Sequence, residues 1–180
     1  SITVTKKDSK TGAVLPGAVS ELLNSGGTVV QTKTSGANGT VKFTDLLPGA
    51  YRVREKTAPE GYYIASSNTQ NITVTAGTNS TATFTNTVIT AKIKIKKIDK
   101  LTKEPLAGAE FTITRLSAPA SHNGAGAGKV VAVLTTYANG LCETGWLEWG
   151  RYRVEGTKVP VHFVDNSHST IHKASENGKT

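Results

Sequence analysis

Apolar and polar residues alternate with a period of two along much of the chain, which is the pattern of strands that bury one face. Three of the alternating stretches end in a polar residue that keeps the parity of the apolar positions before it. Those apolar positions are Ile2 and Val4, Tyr51 and Val53, and Ala82 and Phe84. The polar residues that follow them are Lys6, Glu55 and Asn86. The alternation therefore predicts three strands that each direct one polar side chain into an apolar interior.

The rest of the first ninety residues predicts further strands separated by turns. Stretches rich in Gly, Asn and Ser divide segments of strand-like composition from one another. The predicted strands are 2–7, 18–23, 29–34, 41–46, 49–55, 71–75 and 81–86. No long segment carries the 3.6-residue apolar period of a helix. We therefore expect an all-β sandwich of about seven strands with almost no helix.

The second half of the sequence repeats the first. Lys97 lies 91 positions after Lys6, and Tyr152 lies 101 positions after Tyr51, with several neighbouring positions keeping each offset. Two constant offsets over ordered positions indicate a duplication. We assign a first domain to 1–89 and a second domain to 90–180. The residues that join them are β-branched and lack Gly and Pro, so we expect a stiff joint.

The ten additional residues of the second half fall in a Gly- and Ala-rich insertion at 117–128. Loops of this kind can carry a binding function. A surface loop can equally be tolerated without any function, because a longer loop adds little closure entropy. Both interpretations remain open from the sequence.

A lysine, a glutamate and an asparagine that meet in an apolar interior suggest a specific reaction. Burial lowers the pKa of a lysine and favours its neutral amine, while a protonated carboxyl can polarise an amide and pass a proton to departing ammonia. The product would be an isopeptide bond between Lys6 and Asn86, with Glu55 as the catalytic group. The alternative is a buried salt bridge between Lys6 and Glu55, with Asn86 only hydrogen-bonded.

Short motifs in the first half resemble those of a known family. They are GAYRVRE at 49–55 with APEGY at 58–62, KKD at 6–8 with LPGA at 15–18, and FTNT at 84–87. These runs resemble the signatures of Cna protein B-type domains, the SpaA-like modules of Gram-positive adhesins and pilins. The resemblance implies a transthyretin-like, inverse immunoglobulin sandwich in which Lys6 bonds to Asn86 and Glu55 catalyses.

The second half departs from this pattern at its chemistry. The place of the buried glutamate is held by Gly156, and Glu155 is displaced by one residue, so only a bulge would turn Glu155 inward. The counterpart of Asn86 would fall at position 187, and Asn177 lies in a predicted turn. We therefore expect a second domain without its closing strand or its own bond, with Lys97 free or paired with Glu155. Its open edge would accept a donated strand.

Composition restricts the remaining function classes. The net charge is +8, but the basic residues are scattered and no aromatic-interleaved basic stripe occurs, so we expect no nucleic-acid partner. No apolar run approaches the roughly 20 residues of a membrane span. The single cysteine, Cys142, fits a strand position. The histidines His162, His168 and His172 lack carboxylate or cysteine companions at ligand spacing, so we expect no metal and no cofactor.

These observations predict a non-enzymatic module whose only chemistry is a single self-crosslinking turnover. We expect a stalk or spacer of a Gram-positive adhesin or pilus protein, extracellular, anchored to the cell wall through a longer parent protein and flanked by its other domains. The alternative is a ligand-binding adhesin module that contacts host matrix protein or an anionic polymer. Trp146 and Trp149 could form an exposed platform for such a ligand or belong partly to the core.

Overall fold

The computed structural model describes residues 1–118, 126–160 and 169–174. The chain divides into two compact units, which we call unit 1, Ser1–Val88, and unit 2, which begins at Ile89. Every regular element among the described residues is a β-strand. The all-β class that the alternation predicted is therefore confirmed.

Unit 1 is a sandwich of two four-stranded sheets. Its strands are β1 (Ile2–Asp8), β2 (Val19–Asn24), β3 (Val29–Thr34), β4 (Thr40–Phe43), β5 (Gly49–Thr57), β6 (Tyr62–Tyr63), β7 (Thr69–Val74) and β8 (Ser80–Val88). One sheet has the order β4-β1-β8-β6 and the other the order β3-β2-β5-β7. The core between them is built from the inward positions of both sheets: Ile2, Val4, Leu22, Val41, Phe43, Val53, Val74, Ala82 and Phe84.

The first and last strands of unit 1 are parallel neighbours. The register of β1 and β8 pairs Ile2 with Ser80, Lys6 with Phe84 and Asp8 with Asn86. A parallel pair can form here because the whole unit serves as the connection between the two strands. This pairing brings the two ends of the motif-bearing sequence, Lys6 and Asn86, to the same end of one sheet.

Gly39 fixes the position of the lysine strand. Its carbonyl accepts a hydrogen bond of 2.8 Å from the backbone amide of Lys6. Its φ is 69°, and a Cβ added there would lie 2.7 Å from Cβ of Val14. Glycine is therefore required both by the backbone conformation and by the close approach. Gly140 repeats the arrangement in unit 2, where its carbonyl accepts from the amide of Lys97.

Unit 2 repeats the β2-β3-β5-β7 sheet of unit 1 but shows less of the other sheet. Its strands are β9 (Thr90–Ala91), β10 (Lys94–Lys96), β11 (Glu110–Ser117), β12 (Val130–Thr135), β13 (Leu141–Glu143), β14 (Leu147–Glu148), β15 (Gly150–Lys158) and β16 (Ser169–Ala174). The four-stranded sheet has the order β12-β11-β15-β16, and β10-β13 and β9-β14 form two-stranded sheets. Within the described part of the chain, β10 pairs with β13 alone, whereas its counterpart β1 has two neighbours.

Candidate functional site

Three strands of unit 1 bring Lys6, Glu55 and Asn86 together. Lys6 lies on β1, Glu55 on β5 in the facing sheet, and Asn86 on β8. Nζ of Lys6 lies 2.7 Å from Oε1 of Glu55, and Nδ2 of Asn86 donates to Oε2 of the same carboxylate at 3.0 Å. The side chains of Lys6 and Glu55 are fully buried, and Asn86 is 1% exposed. One carboxylate therefore bridges an amine and an amide out of contact with water.

The surroundings of Lys6 are apolar. Nζ lies 5.0 Å from the centre of the Phe84 ring, and the neighbouring inward positions on β1 and β8 belong to the hydrophobic core. Burial lowers the pKa of Lys6, and the nearby carboxylate of Glu55 opposes this effect without cancelling it. Loss of hydration disfavours the charged amine, so the neutral form of Lys6 is more accessible here than it is for a lysine in water.

The amide of Asn86 has a defined orientation. Its nitrogen also donates a hydrogen bond of 2.9 Å to the backbone carbonyl of Tyr63 on β6, so both N–H groups are used. A carbonyl oxygen can only accept, so the contact with Tyr63 identifies the nitrogen of the amide. The amide nitrogen thus lies beside the carboxylate oxygen of Glu55 that does not contact Lys6.

Comparisons with known proteins identify the family. The SpaA model, described as a prealbumin-like fold domain, matches residues 1–88 and again residues 91–180. The chain belongs to the SpaA family. The structure of the Bacillus anthracis TIE protein is similar over 99% of this chain, with 28% identity and a TM-score of 0.81, and the chain covers 31% of it. The match confirms the family that the motifs predicted and the duplication within the chain.

Two further structures resemble the chain less closely. A streptococcal ancillary pilin is 20% identical over 99% of this chain and 60% of its own length, with a TM-score of 0.47. The pilus 2b backbone protein of group B streptococcus is 28% identical over 48% of this chain and 40% of its own, with a TM-score of 0.42. No curated protein matches. The chain thus spans from under a third to under two thirds of these relatives.

The described residues of the second SpaA repeat do not rebuild the site. In unit 1 the register of β2 and β5 places Ser20 opposite Glu55, and in unit 2 the register of β11 and β15 places Phe111 opposite Gly156. A Cβ added to Gly156 would lie 3.8 Å from the Phe111 ring. A small residue facing a glutamate has been exchanged for a large ring facing a glycine.

The structure does not bring Glu155 to Lys97. Of the two irregularities in the β11–β15 register, one follows Gly156 and the other lies at Arg151 and Tyr152, so Glu155 keeps the parity opposite to that of buried Val154. Its carboxylate lies 3.0 Å from Nε of Arg153. Lys97 itself is half-buried, whereas Lys6 is fully buried. No irregularity falls between Val154 and Glu155, where a bulge would turn the Glu155 side chain inward.

The cysteine and the two tryptophans singled out in the sequence lie in unit 2. Cys142 is buried on β13 opposite Ile95, and burial raises the pKa of its thiol. Trp146 is 62% exposed, with Nζ of Lys92 lying 5.3 Å from its ring centre, and Trp149 is half-buried.

Several of the candidate residues lie outside the part of the chain that the structure describes. His162, His168 and Asn177 lie outside that part, and His172 belongs to β16. Among the described residues no group of three His, Cys, Asp or Glu side chains could hold a metal ion. None of those residues forms a helix long and apolar enough to cross a membrane.

Sequence reasoning missed the contribution of β6 to the site. The carbonyl of Tyr63 contacts the Asn86 amide, and the hydroxyl of the preceding Tyr62 donates to the carboxylate of Asp8. A backbone carbonyl cannot be predicted as an acceptor from the sequence, because every residue has one. The signal for Tyr62 was present, because a tyrosine that ends the run 58–62 and an aspartate two residues after Lys6 both belong to the family-like motifs.

Proposed function

We propose that unit 1 crosslinks itself through an isopeptide bond between Lys6 and Asn86, with Glu55 carrying the protons. The observation that supports this is the bridging carboxylate: one oxygen lies at the amine and the other at the amide nitrogen. A purely structural ion pair would need only the first of these contacts. A catalytic proton carrier needs both, because it must take a proton from the nucleophile and return one to the leaving group.

The reaction balances within these three side chains. The Lys6 ammonium gives one proton to Oε1 of Glu55, and the neutral Nζ then forms a bond to Cγ of Asn86 while the carbonyl electron pair moves to Oδ1. As the carbonyl re-forms, the bond between Cγ and Nδ2 breaks, and the leaving nitrogen takes the proton held by Glu55 and becomes ammonia. The second proton of Nζ then passes to Glu55, and the ammonia accepts it from there and departs as ammonium. The carboxylate is regenerated, and the chain is lighter by one ammonia.

The bond would stabilise unit 1 through its unfolded state. It closes a loop of about 80 residues, and the loop-entropy relation for crosslinks gives about 4.5 kcal/mol for that length. Native strain would reduce this figure. Since a small domain of this size has a modest core, a covalent link of this kind takes the place that disulfides hold in other small domains.

The position of the bond also suits a mechanical role. Because β1 and β8 are parallel neighbours, force applied to the two ends of unit 1 runs along this pair. With Lys6 bonded to Asn86, the covalent path passes from β1 directly to β8. The residues between positions 6 and 86 are then outside the load path, so the sheets cannot be peeled apart by pulling.

For the parent protein, we propose a stalk or spacer role in a Gram-positive surface or pilus protein, outside the cell and attached to its wall, with other domains of the same protein as neighbours. The SpaA match to both halves of the chain and the Bacillus anthracis relative support this role. Contact with host matrix is the second candidate. The observation in its favour is the exposure of Trp146 and of Tyr137, which is 72% exposed.

We also propose that unit 2 accepts a closing strand along β10. Ile93, Ile95 and Lys97 are half-buried, whereas their counterparts Ile2, Val4 and Lys6 are fully buried between β4 and β8. The strand would run parallel to β10, as β8 runs parallel to β1. It would come from a neighbouring segment of the surface protein and carry small or apolar residues at alternate positions.

The intact mass of the purified chain tests the crosslink. The wild-type protein should be one ammonia lighter than its sequence mass, and Glu55→Gln should restore the full mass. Lys7→Ala is the matched control, because Lys7 is exposed on the same strand and should leave the ammonia deficit unchanged. A wild-type chain of full mass would exclude the proposed reaction and leave Lys6 and Glu55 as a structural ion pair.

A further inference from the structure

Asp8 and Tyr62 form a buried pair next to the proposed crosslink. Asp8 ends β1, lies opposite Asn86 in the register of β1 and β8, and is 4% exposed. Its Oδ1 accepts hydrogen bonds from the amides of Lys10 and Thr11 and from the Thr11 hydroxyl, at 2.9, 2.6 and 2.9 Å. The hydroxyl of Tyr62, a residue that is 5% exposed, is a further donor to this carboxylate.

The turn after β1 does not require the tyrosine. In unit 2, Asp99 accepts from the amides of Leu101 and Thr102 and from the Thr102 hydroxyl, so the same turn forms there. The sequence repeat places Phe163, which has no hydroxyl, at the position of Tyr62; Phe163 lies outside the described residues. The tyrosine hydroxyl is thus an addition in the unit that carries the lysine, glutamate and asparagine.

The strand that holds Tyr62 is short. β6 consists of Tyr62 and Tyr63 and pairs with β8 through Val88 and Thr87. Two residues of pairing hold a strand weakly, and a side-chain hydrogen bond to a buried carboxylate adds a second attachment. The residue so held is followed directly by Tyr63, whose carbonyl accepts the hydrogen bond from the Asn86 amide.

We propose that the hydrogen bond between Tyr62 and Asp8 is a positioning device for the crosslinking reaction, which it assists by holding the carbonyl of Tyr63 against the amide nitrogen of Asn86. The inference rests on the crosslink proposed above. With Tyr63 in place, the amide turns its nitrogen to Glu55, the group that must protonate it. With β6 displaced, the amide loses an acceptor and can rotate about its χ2 bond, so fewer molecules hold the reactive geometry.

The rate of crosslinking in newly made full-length chain tests this inference. Pulse-labelled cell-free synthesis, quenched in denaturant at successive times, gives the fraction of each variant that has lost ammonia by intact mass. Tyr62→Phe should react about 10- to 100-fold more slowly than wild type, the range expected for a small loss of alignment. The matched control is Tyr51→Phe, which removes a hydroxyl that donates to the carbonyl of Leu47, away from the site, and should react at the wild-type rate.

The outcomes separate the two proposals. If wild type never loses ammonia, the crosslink itself is refuted, and this inference falls with it. If wild type reacts and Tyr62→Phe matches Tyr51→Phe, only the positioning role is refuted. The same substitutions in a Glu55→Gln background report on folding without crosslinking. A Tyr62→Phe chain that is slow to crosslink but unfolded in that background would assign the hydrogen bond to folding and would also overturn the positioning role.

Discussion

Gly156 occupies in unit 2 the register position that Glu55 occupies in unit 1. Glu55 on β5 pairs with the small Ser20 on the adjacent strand β2, and Gly156 on β15 pairs with the large Phe111 on the adjacent strand β11. In unit 1 the large side chain of the pair is on β5, and in unit 2 it is on β11. The two positions have therefore changed together, because the Phe111 ring fills space that a glutamate at position 156 would need. A glutamate introduced at position 156 alone should therefore clash with the Phe111 ring.

The first prediction is that Gly156→Glu destabilises unit 2 and that Phe111→Ser partly rescues it. The single substitution places a carboxyl against an aromatic ring in a half-buried position, and the second substitution makes room for it. We expect a favourable coupling of about 0.5–3 kcal/mol in the double-mutant cycle. Both tryptophans of the chain lie in unit 2, so urea unfolding followed by tryptophan fluorescence measures this unit. Strictly additive effects would contradict the coupled exchange.

The second prediction concerns the stability of unit 1. Glu55→Gln should lower its free energy of unfolding by up to about 4.5 kcal/mol, because the loop closed by the crosslink is opened. Calorimetry should then show the unfolding transition of unit 1 at a lower temperature, while the transition of unit 2 keeps its temperature. Tryptophan fluorescence should follow only the transition of unit 2. Glu60→Gln, at an exposed position in the turn before β6, is the control and should leave both transitions unchanged.

The third prediction is an acid-dependent loss of stability in unit 2. Hydrogen bonds from Thr102 and Leu101 hold the pKa of Asp99 below its usual value of 3.8. The folded form then binds fewer protons than the unfolded chain, so the contribution is present above that usual value and is lost as pH falls through the lower folded value. Asp99→Asn should flatten the fall in unfolding free energy below pH 3.8, measured by tryptophan fluorescence in urea. An unchanged pH profile would contradict it, and Glu104→Gln serves as control.

The fourth prediction is that β10 binds an added strand. A synthetic peptide with the sequence of β8, Ser80–Val88, should slow hydrogen exchange of the β10 amides and should leave the β1 amides unaffected, because β1 is already paired on both sides. A peptide with proline at alternate positions cannot donate to the ladder and is the control. Equal exchange of β10 with and without the peptide would argue against an open acceptor edge.

Much of the fold could be predicted from the sequence, because the alternation of apolar and polar side chains indicates both where the strands lie and which of their residues point inward. Parity placed Lys6, Glu55 and Asn86 on the inner face, and the structure brings all three into contact. The offsets of the repeat located Gly156 correctly as the counterpart of Glu55. These inferences succeed because a period of two leaves a residue only two faces to choose from.

Other features could not be read from parity. The places of the irregularities along β15 depend on the pairing with β11, and neither falls between Val154 and Glu155, so Glu155 stays on the outer side. The acceptor for the Asn86 amide is the backbone carbonyl of Tyr63, which every residue type would supply. The mutual fit of Phe111 and Gly156 is a contact between strands far apart in sequence, and only the folded register reveals it.

The most direct test of the account is a proteolytic digest of the purified chain analysed by tandem mass spectrometry. We predict a branched species in which the peptide that contains Lys6 is joined through Nζ to Cγ of Asn86, lighter than the two separate peptides by one ammonia. Lys97 should appear in the same digest as an ordinary unmodified lysine. Recovery of the Lys6 and Asn86 peptides only as separate linear species of full mass would contradict the account.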